Sequence, residues 1–155
     1  MTLNTASGLD GEYVPSPVKR VRDQVAAYEA SGGVEGATLE GRPVVILTSV
    51  GARSGKVRKN PVMRIVDGER YVAVASAGGA PTHPSWYTNL VSHPTVRIQD
   101  GATVKEFHAR EVRGEEKQRY WAIAEQFWPH FPEYRRRAAG RDIPIMVLEP
   151  IAAPQ

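Results

Sequence analysis

The chain contains no cysteine. This absence excludes disulfide bonds, thiolate metal sites and cysteine nucleophiles. The sequence shows no histidines at metal-ligand spacing, no nucleophile beside a partnered base and no carboxylate pair at a recognisable spacing. We therefore expect no metal site and no acid–base machinery of the usual kinds.

Long apolar runs are also missing, and no stretch is long enough to span a bilayer. The first residues lack the charged and apolar regions of a secretory signal, so the expected location is the cytoplasm. A length of 155 residues, 41% hydrophobic and 24% charged, is typical of one globular domain. The formal net charge of +3 favours anionic ligands without naming one.

The chain divides into three predicted segments. Residues 1–17 are polar and rich in Gly, Ser and Pro, which predicts a mobile N-terminal arm. Residues 18–33 form a predicted helix, with an apolar face at Val18, Val21, Val25 and Tyr28 and an end at Gly32-Gly33. This helix is expected to pack across a barrel mouth, and weak peripheral membrane contact through residues 18–30 is the alternative.

The remaining segment, 34–155, has the pattern of a small antiparallel β-barrel. Short β-type runs are separated by tight turns at Asp67-Gly68 and Asp100-Gly101, and helices are inserted between them. Pro61 lies within the second run, which predicts an edge strand or a bulge there. The predicted fold class is therefore mainly β with inserted helices, forming a closed or partly open barrel.

A basic loop joins the first two β runs. Its four cations lie between Gly51 and Asn60, beside glycines that free the backbone, and this composition is typical of an anion pocket. The β-strand alternation sends Arg58 and Asn60 to one side and Lys59 to the other. The loop is one residue too short for a P-loop and has Val57 where a magnesium-binding hydroxyl is needed. A solvated hairpin tip is the alternative interpretation.

Two further stretches are candidates for binding a flat ligand. The small-residue stretch from Ala75 to Gly79 follows the third strand and by itself indicates only a turn. Trp86 and Asn89 are three residues apart on a predicted helix and share a face, whereas Tyr87 points elsewhere. Without other information Trp86 is best explained as a core residue.

Taken together, these stretches resemble the deazaflavin-dependent nitroreductase family, which uses coenzyme F-420 (8-hydroxy-5-deazaflavin). The matching pieces cover roughly the last two thirds of the chain in family order and spacing. They are Leu47-Thr48, Gly51-x-Arg53-Ser54-Gly55, Arg58, Asn60-Pro61, Ala75-Ser76-x-Gly78-Gly79-Ala80, Pro84-x-Trp86-Tyr87-x-Asn89-Leu90, Arg141-x-Ile143-Pro144-Ile145 and Leu148-Glu149-Pro150. The resemblance implies a split β-barrel of the type that also binds flavin mononucleotide.

The resemblance also implies roles for individual residues. Phosphate contact falls to Arg53, Ser54 and Arg58. The other implied cofactor-binding residues are Asn60, Pro61, Met63, Val74, Ala75, Ser76, Ala77, Trp86 and Asn89. Ser76 and Tyr134 are the candidate catalytic residues, with Ser76 near the reactive part of the ring. Family members often have lysine where this chain has Ala77, so one contact to anionic groups is missing here.

The implied function is that of an oxidoreductase that transfers a hydride from reduced coenzyme F-420 to a small organic acceptor such as a quinone, enone or nitroaromatic. The deazaflavin supplies the reactive carbon, which explains the absence of an acid–base constellation. The acceptor is expected near Ser76, Phe131 and Tyr134. Family members that reduce nitroimidazoles carry a tyrosine where this chain has Phe131, so we expect nitroimidazoles to be poor acceptors.

Two alternatives stay open at this point. One is a non-enzymatic small barrel that binds a cofactor or nucleic acid, because basic loops and aromatics also suit single strands. The chain lacks aromatics that alternate with basic residues along one strand, so nucleic acid is not the expected partner. The other is an ordinary flavin mononucleotide enzyme, which rests on fold analogy alone. The sequence leaves the oligomeric state undetermined.

Overall fold

The protein is described here by a computed structural model that covers residues 8–138 and 140–151. Its helices are α1 (Lys19–Ser31), α2 (Ser85–Ser92), α3 (Gly114–Phe127) and α4 (Phe131–Ala138). Its strands are β1 (Thr38–Leu39), β2 (Arg42–Val50), β3 (Val57–Met63), β4 (Val66–Asp67), β5 (Arg70–Val74), β6 (Thr95–Asp100), β7 (Thr103–Glu111) and β8 (Ile145–Pro150).

The strands form one antiparallel sheet that curls into a partly open barrel. Along the sheet the order is β1-β2-β6-β7-β8-β5-β4, and β3 pairs with β2 beside this path. Within the described ranges, β3 has no other partner among the named strands, and Pro61 lies opposite Ile46 in its register. The predicted edge position of Pro61 is therefore confirmed, as is the mainly β, split-barrel fold class.

Both faces of β2 are covered, which explains why its run from Val44 to Val50 is apolar and fully buried. Val45 and Leu47 belong to the barrel interior, together with residues of β6, β7 and β8. Val44 and Ile46 belong to a second cluster with residues of α1. The helix therefore closes one side of the barrel against the outer face of this strand.

Helix α1 packs through the residues that its periodicity predicts. Val25 and Tyr28 are each only 2% exposed, while Val18 at the start of the pattern stays 50% exposed. The Tyr28 hydroxyl accepts a hydrogen bond from the Gly101 amide at 2.7 Å. Gly32 ends the helix in a left-handed conformation, as predicted. No described helix is long and apolar enough to cross a membrane.

The segment before α1 differs from the free arm expected over residues 1–17. Residues 1–7 lie outside the described part of the chain. Farther on, the Val57 amide donates to the Glu12 carbonyl at 2.8 Å and the Val14 amide to the Val57 carbonyl at 3.0 Å. Leu9 is buried. A polar composition did not reveal these contacts, because they use backbone groups at the free edge of β3.

Helices α3 and α4 cover the outer face of β5 and β8. Tyr120 on α3, Phe131 on α4 and Trp128 in the connection between the two helices pack with Ile145 and Val147 in one buried cluster. The sequence indicates only a short segment where α4 lies. In the structure this short helix carries Phe131 and Tyr134 towards the end of β5.

Candidate functional site

The basic loop between β2 and β3 is closed by its own backbone. The Gly51 amide donates to the Lys56 carbonyl at 2.7 Å, and the Gly55 amide donates to the Gly51 carbonyl at 3.0 Å. The Ser54 hydroxyl accepts from the Lys56 amide at 3.1 Å. A Cβ at position 51 would lie 2.7 Å from the Ser54 oxygen and 3.2 Å from the Lys56 carbonyl oxygen, so a side chain here would displace the Ser54 hydroxyl.

The four cations of this loop divide into two kinds. Lys56 pairs with Glu12 at 2.9 Å and Lys59 with Glu29 at 2.5 Å. Arg53 and Arg58 have no acidic partner within the described ranges, and both line a cavity of about 420 Å³. The predicted separation of Arg58 from Lys59 is therefore present: Lys59 reaches α1, and Arg58 faces the cavity.

Asn89 on α2 links this helix to the end of β2 and to the basic loop. Its side chain is 7% exposed, and its Oδ1 accepts from the Ala52 amide at 2.9 Å. Its Nδ2 donates to the Ser49 hydroxyl at 3.3 Å. These bonds give Asn89 a role in positioning the loop, in addition to its place in the cavity wall.

A second cavity, of about 370 Å³, lies beside the start of α2. It is lined by most of the residues that the family resemblance implies around the ring, namely Pro61, Met63, Val74, Ser76, Ala77, Trp86 and Tyr134, together with Phe131. Of the predicted cofactor-binding residues, Asn60 and Ala75 line neither of these two cavities. Ala75 is fully buried in the barrel core, and its amide donates to the Pro144 carbonyl at 2.9 Å, so the structure does not bring this predicted residue to either cavity.

Several residues of the second cavity were missed by the sequence analysis. They are Arg20, Leu39, Glu40, Val62, Ile65 and Trp128. Arg20 lies on the polar side of α1, and its sequence pattern indicates only a solvated charge. Its place in the cavity depends on how α1 crosses the barrel, which no local signal reveals.

The stretch from Ser76 to Gly79 forms a short 3-10 turn along this cavity. Ala77 has a φ of 49°, in the left-handed region that is unfavourable for any residue with a side chain. Gly79 packs so closely on α4 that a Cβ would lie 2.6 Å from the Arg137 Cβ. The Ser76 hydroxyl makes no hydrogen bond within the part of the chain described here, so it is available to a ligand.

Helix α2 separates the two cavities and contributes to both. Trp86 lines the second cavity, while Ser85, Thr88 and Asn89 line the first. Tyr87 points away from both and donates to Glu111 at 2.6 Å, and this hydrogen bond, with burial, raises the pKa of Tyr87 to about 12. A cationic cavity next to an aromatic one fits a ligand with an anionic tail and a flat ring system.

A third cavity, of about 230 Å³, shares no lining residue with these two. Three of its polar side chains bond to one another, since Asp100 accepts from Arg64 at 2.9 Å and from the Tyr71 hydroxyl at 2.6 Å. It contains none of the predicted site residues. No group of three or more histidine or acidic side chains in the described ranges could hold a metal ion.

Comparison with known proteins identifies the family of the chain. Residues 20–150 match the model of the F420H2-dependent quinone reductase family. The chain belongs to this family. The predictions of a deazaflavin-dependent family, an oxidoreductase and coenzyme F-420 as its cofactor are thereby confirmed.

Individual members of the family are moderately similar. An F420H2-dependent quinone reductase of Mycobacterium tuberculosis is 32% identical over 135 residues, covering 84% of this chain and 90% of that protein. A solved structure of an F420-H2 dependent reductase is 44% identical with a TM-score of 0.65, over 70% of this chain and 95% of the other. Another solved structure, a domain-swapped dimer, is 41% identical with a TM-score of 0.67, over 86% of this chain and 100% of the other.

Proposed function

We propose that this chain binds reduced coenzyme F-420 across the two cavities on either side of α2 and reduces a quinone with it. The observation that supports this most directly is the pair of cations without acidic partners, Arg53 and Arg58, beside an aromatic-lined cavity. The volume of that second cavity, about 370 Å³, lies in the range of small-molecule sites. When bound, the reduced deazaflavin supplies the hydride.

The first cavity holds the anionic tail of the cofactor. Arg53 and Arg58 provide charge-assisted hydrogen bonds to phosphate or carboxylate oxygens, and Ser54 provides a hydroxyl. Because Lys56 and Lys59 are neutralised by glutamates, the two arginines carry most of the attraction. Asn89 holds the loop in place through its bond to the Ala52 amide.

The second cavity positions the ring and the acceptor. Pro61, Met63, Val74 and Trp86 provide apolar surface that orients the ring and keeps water away from it. The Ser76 hydroxyl orients the polar edge of the ring. Phe131 and Tyr134 form the aromatic wall against which a flat quinone stacks.

The acceptor side needs one proton in addition to the hydride. A quinone that gains a hydride and a proton leaves as a hydroquinone. The Tyr134 hydroxyl has no hydrogen-bond partner within the described ranges and lies in the cavity wall, so it can hold a proton towards the acceptor oxygen. Water at the open cavity mouth then returns a proton to the Tyr134 hydroxyl.

Enones are proposed as further acceptors, and nitroaromatics as poorer ones. The wall at position 131 is a phenylalanine, which stacks but cannot donate to a nitro group. Membrane contact through residues 18–30 is not part of the proposal, because Val25 and Tyr28 face the barrel.

Titration of the purified protein with coenzyme F-420 and, separately, flavin mononucleotide tests the proposal. We expect a change in cofactor or tryptophan fluorescence with coenzyme F-420 at much lower concentration than with flavin mononucleotide, because two free arginines suit a longer anionic tail. Steady-state turnover of a quinone with reduced cofactor should follow. Tighter binding of flavin mononucleotide, or binding without turnover of any acceptor, would contradict it.

A further inference from the structure

Arg141 holds both ends of the turn that lines the second cavity. Its Nε donates to the Ala80 carbonyl at 2.9 Å, its Nη1 to the Ala75 carbonyl at 3.1 Å and its Nη2 to the Ser76 carbonyl at 2.7 Å. These three carbonyls flank Ala77, whose φ of 49° is unfavourable for a residue with a side chain. One guanidinium thus bridges a strained turn across its base.

A fourth contact extends this arrangement to the segment before α2. Arg141 Nη1 lies 2.6 Å from His83 Nδ1. Arginine has no acceptor atom, so the histidine nitrogen is the acceptor here. Four of the five guanidinium N–H groups are therefore used by the segment between Ala75 and His83.

Arg141 differs from most arginines in this chain in the partners of its charged group. Arg64, Arg70 and Arg110 each pair with a carboxylate. Within the described ranges Arg141 has no carboxylate partner, and burial lowers its pKa. A planar guanidinium that donates to three backbone carbonyls and an imidazole is suited to fixing backbone geometry.

We infer that Arg141 is a positioning residue that holds the Ser76–Gly79 turn in the conformation that coenzyme F-420 requires. This inference rests on the proposed function, since the turn lines the cavity assigned to the ring. The guanidinium acts through the turn and not by touching the cofactor. The planar arrangement of the guanidinium N–H donors, and not the positive charge alone, holds the turn.

Arg141→Lys and Arg141→Gln test this inference, with Arg119→Lys on the exposed side of α3 as the matched control. Lysine keeps the charge but cannot reach three carbonyls in one plane. Hydrogen exchange of the cofactor-free protein is measured at the Gly79 and Ala80 amides, which bond to the carbonyls of Ser76 and Ala77. Both Arg141 variants should exchange at least about tenfold faster there, and the control should not.

The same variants are then titrated with coenzyme F-420. The Kd should rise by about tenfold in both Arg141 variants, while kcat at saturating cofactor changes less. A purely structural role would lower the melting temperature but leave the Kd of the folded protein unchanged, and so would contradict the inference. Wild-type exchange rates in a folded Arg141→Lys variant would also overturn it, as would full rescue of the Kd by lysine.

His83→Ala covers the case in which neither Arg141 variant folds. It removes one acceptor and leaves the guanidinium in place, so exchange at Ala80 should rise by about threefold. An unchanged rate in this variant would count against the inference. The exchange measurements need no cofactor. If the wild-type protein fails to bind coenzyme F-420, the proposed function falls while the exchange data still decide the role of Arg141.

Discussion

At the residue scale, neighbouring cations of one loop have different electrostatic surroundings. Arg53, Lys56, Arg58 and Lys59 form one basic run in the sequence. In the structure the two lysines reach Glu12 and Glu29, which come from the segment before α1 and from α1 itself. The two arginines are left facing a cavity. Local sequence shows the charges, but only the packing shows which of them are free to bind a ligand.

This difference predicts unequal effects of removing the charges. Arg58→Ala and Arg53→Ala should each weaken coenzyme F-420 binding by about 1.5–3 kcal/mol, or roughly tenfold or more, because each loses a charge-assisted contact. Lys56→Ala is the matched control and should change affinity little, since its charge is already neutralised. Fluorescence titration measures all three. Unchanged affinity in both arginine variants would remove the anion-binding role from the loop.

Phe131 allows a second prediction at the residue scale. It is 2% exposed and packs edge-on against Trp121 and Tyr134 in the cavity wall. Phe131→Tyr should raise nitroimidazole turnover by a few-fold, because one hydrogen bond to the nitro group contributes about 0.5–1.5 kcal/mol. Steady-state rates with a quinone, an enone and a nitroimidazole measure this. If the wild-type protein already reduces the nitroimidazole faster than every quinone and enone, position 131 does not determine acceptor preference.

At the element scale, α1 is a packing element of the barrel. Its buried residues Val25 and Tyr28 contact β2 residues, and Lys59 on β3 pairs with its Glu29. Its remaining surface is largely polar, and its apolar part consists of the partly buried Val21 and small alanines, with the exposed Val18 just before its start. The same helix brings Arg20 to the second cavity.

This packing predicts that the protein does not bind membranes. In a sedimentation assay with vesicles that contain anionic lipid, the protein should remain in the supernatant at physiological salt, because α1 lacks an unpacked apolar face. A basic amphipathic peptide serves as the positive control. Strong sedimentation that is lost when the residues before Gly32 are deleted would overturn this assignment.

At the scale of the whole molecule, the barrel places two unlike surfaces next to each other. The β2–β3 loop supplies cations, and β5 with α4 supplies aromatic and apolar walls. Helix α2 crosses between them, so Trp86 faces one cavity and Asn89 the other although they lie within one turn. The proposed binding of an elongated ligand with an anionic end and a flat end therefore depends on contacts between segments that are far apart in the chain.

The sequence by itself determined the β character of the chain, its tight turns and the end of α1, because these depend on local period and on glycine placement. The Asp67-Gly68 and Asp100-Gly101 turns and the Gly32 helix end are examples, and each glycine has the expected positive φ. The ordered motifs were also enough to indicate the family and its cofactor. These features need no knowledge of long-range contacts.

Only the tertiary structure decided which of the residues singled out in the sequence lie close enough to act together. It placed Arg20 in a cavity wall, paired Lys56 and Lys59 with glutamates outside the cavity that Arg53 and Arg58 line, and joined Arg141 to a turn more than 60 residues earlier. It also paired residues 12–14 with the edge of β3 at Val57, where composition indicated a mobile arm. Each of these results depends on contacts between segments that are far apart in the chain, and such contacts are set by packing and charge pairing, which leave no periodic pattern in the sequence.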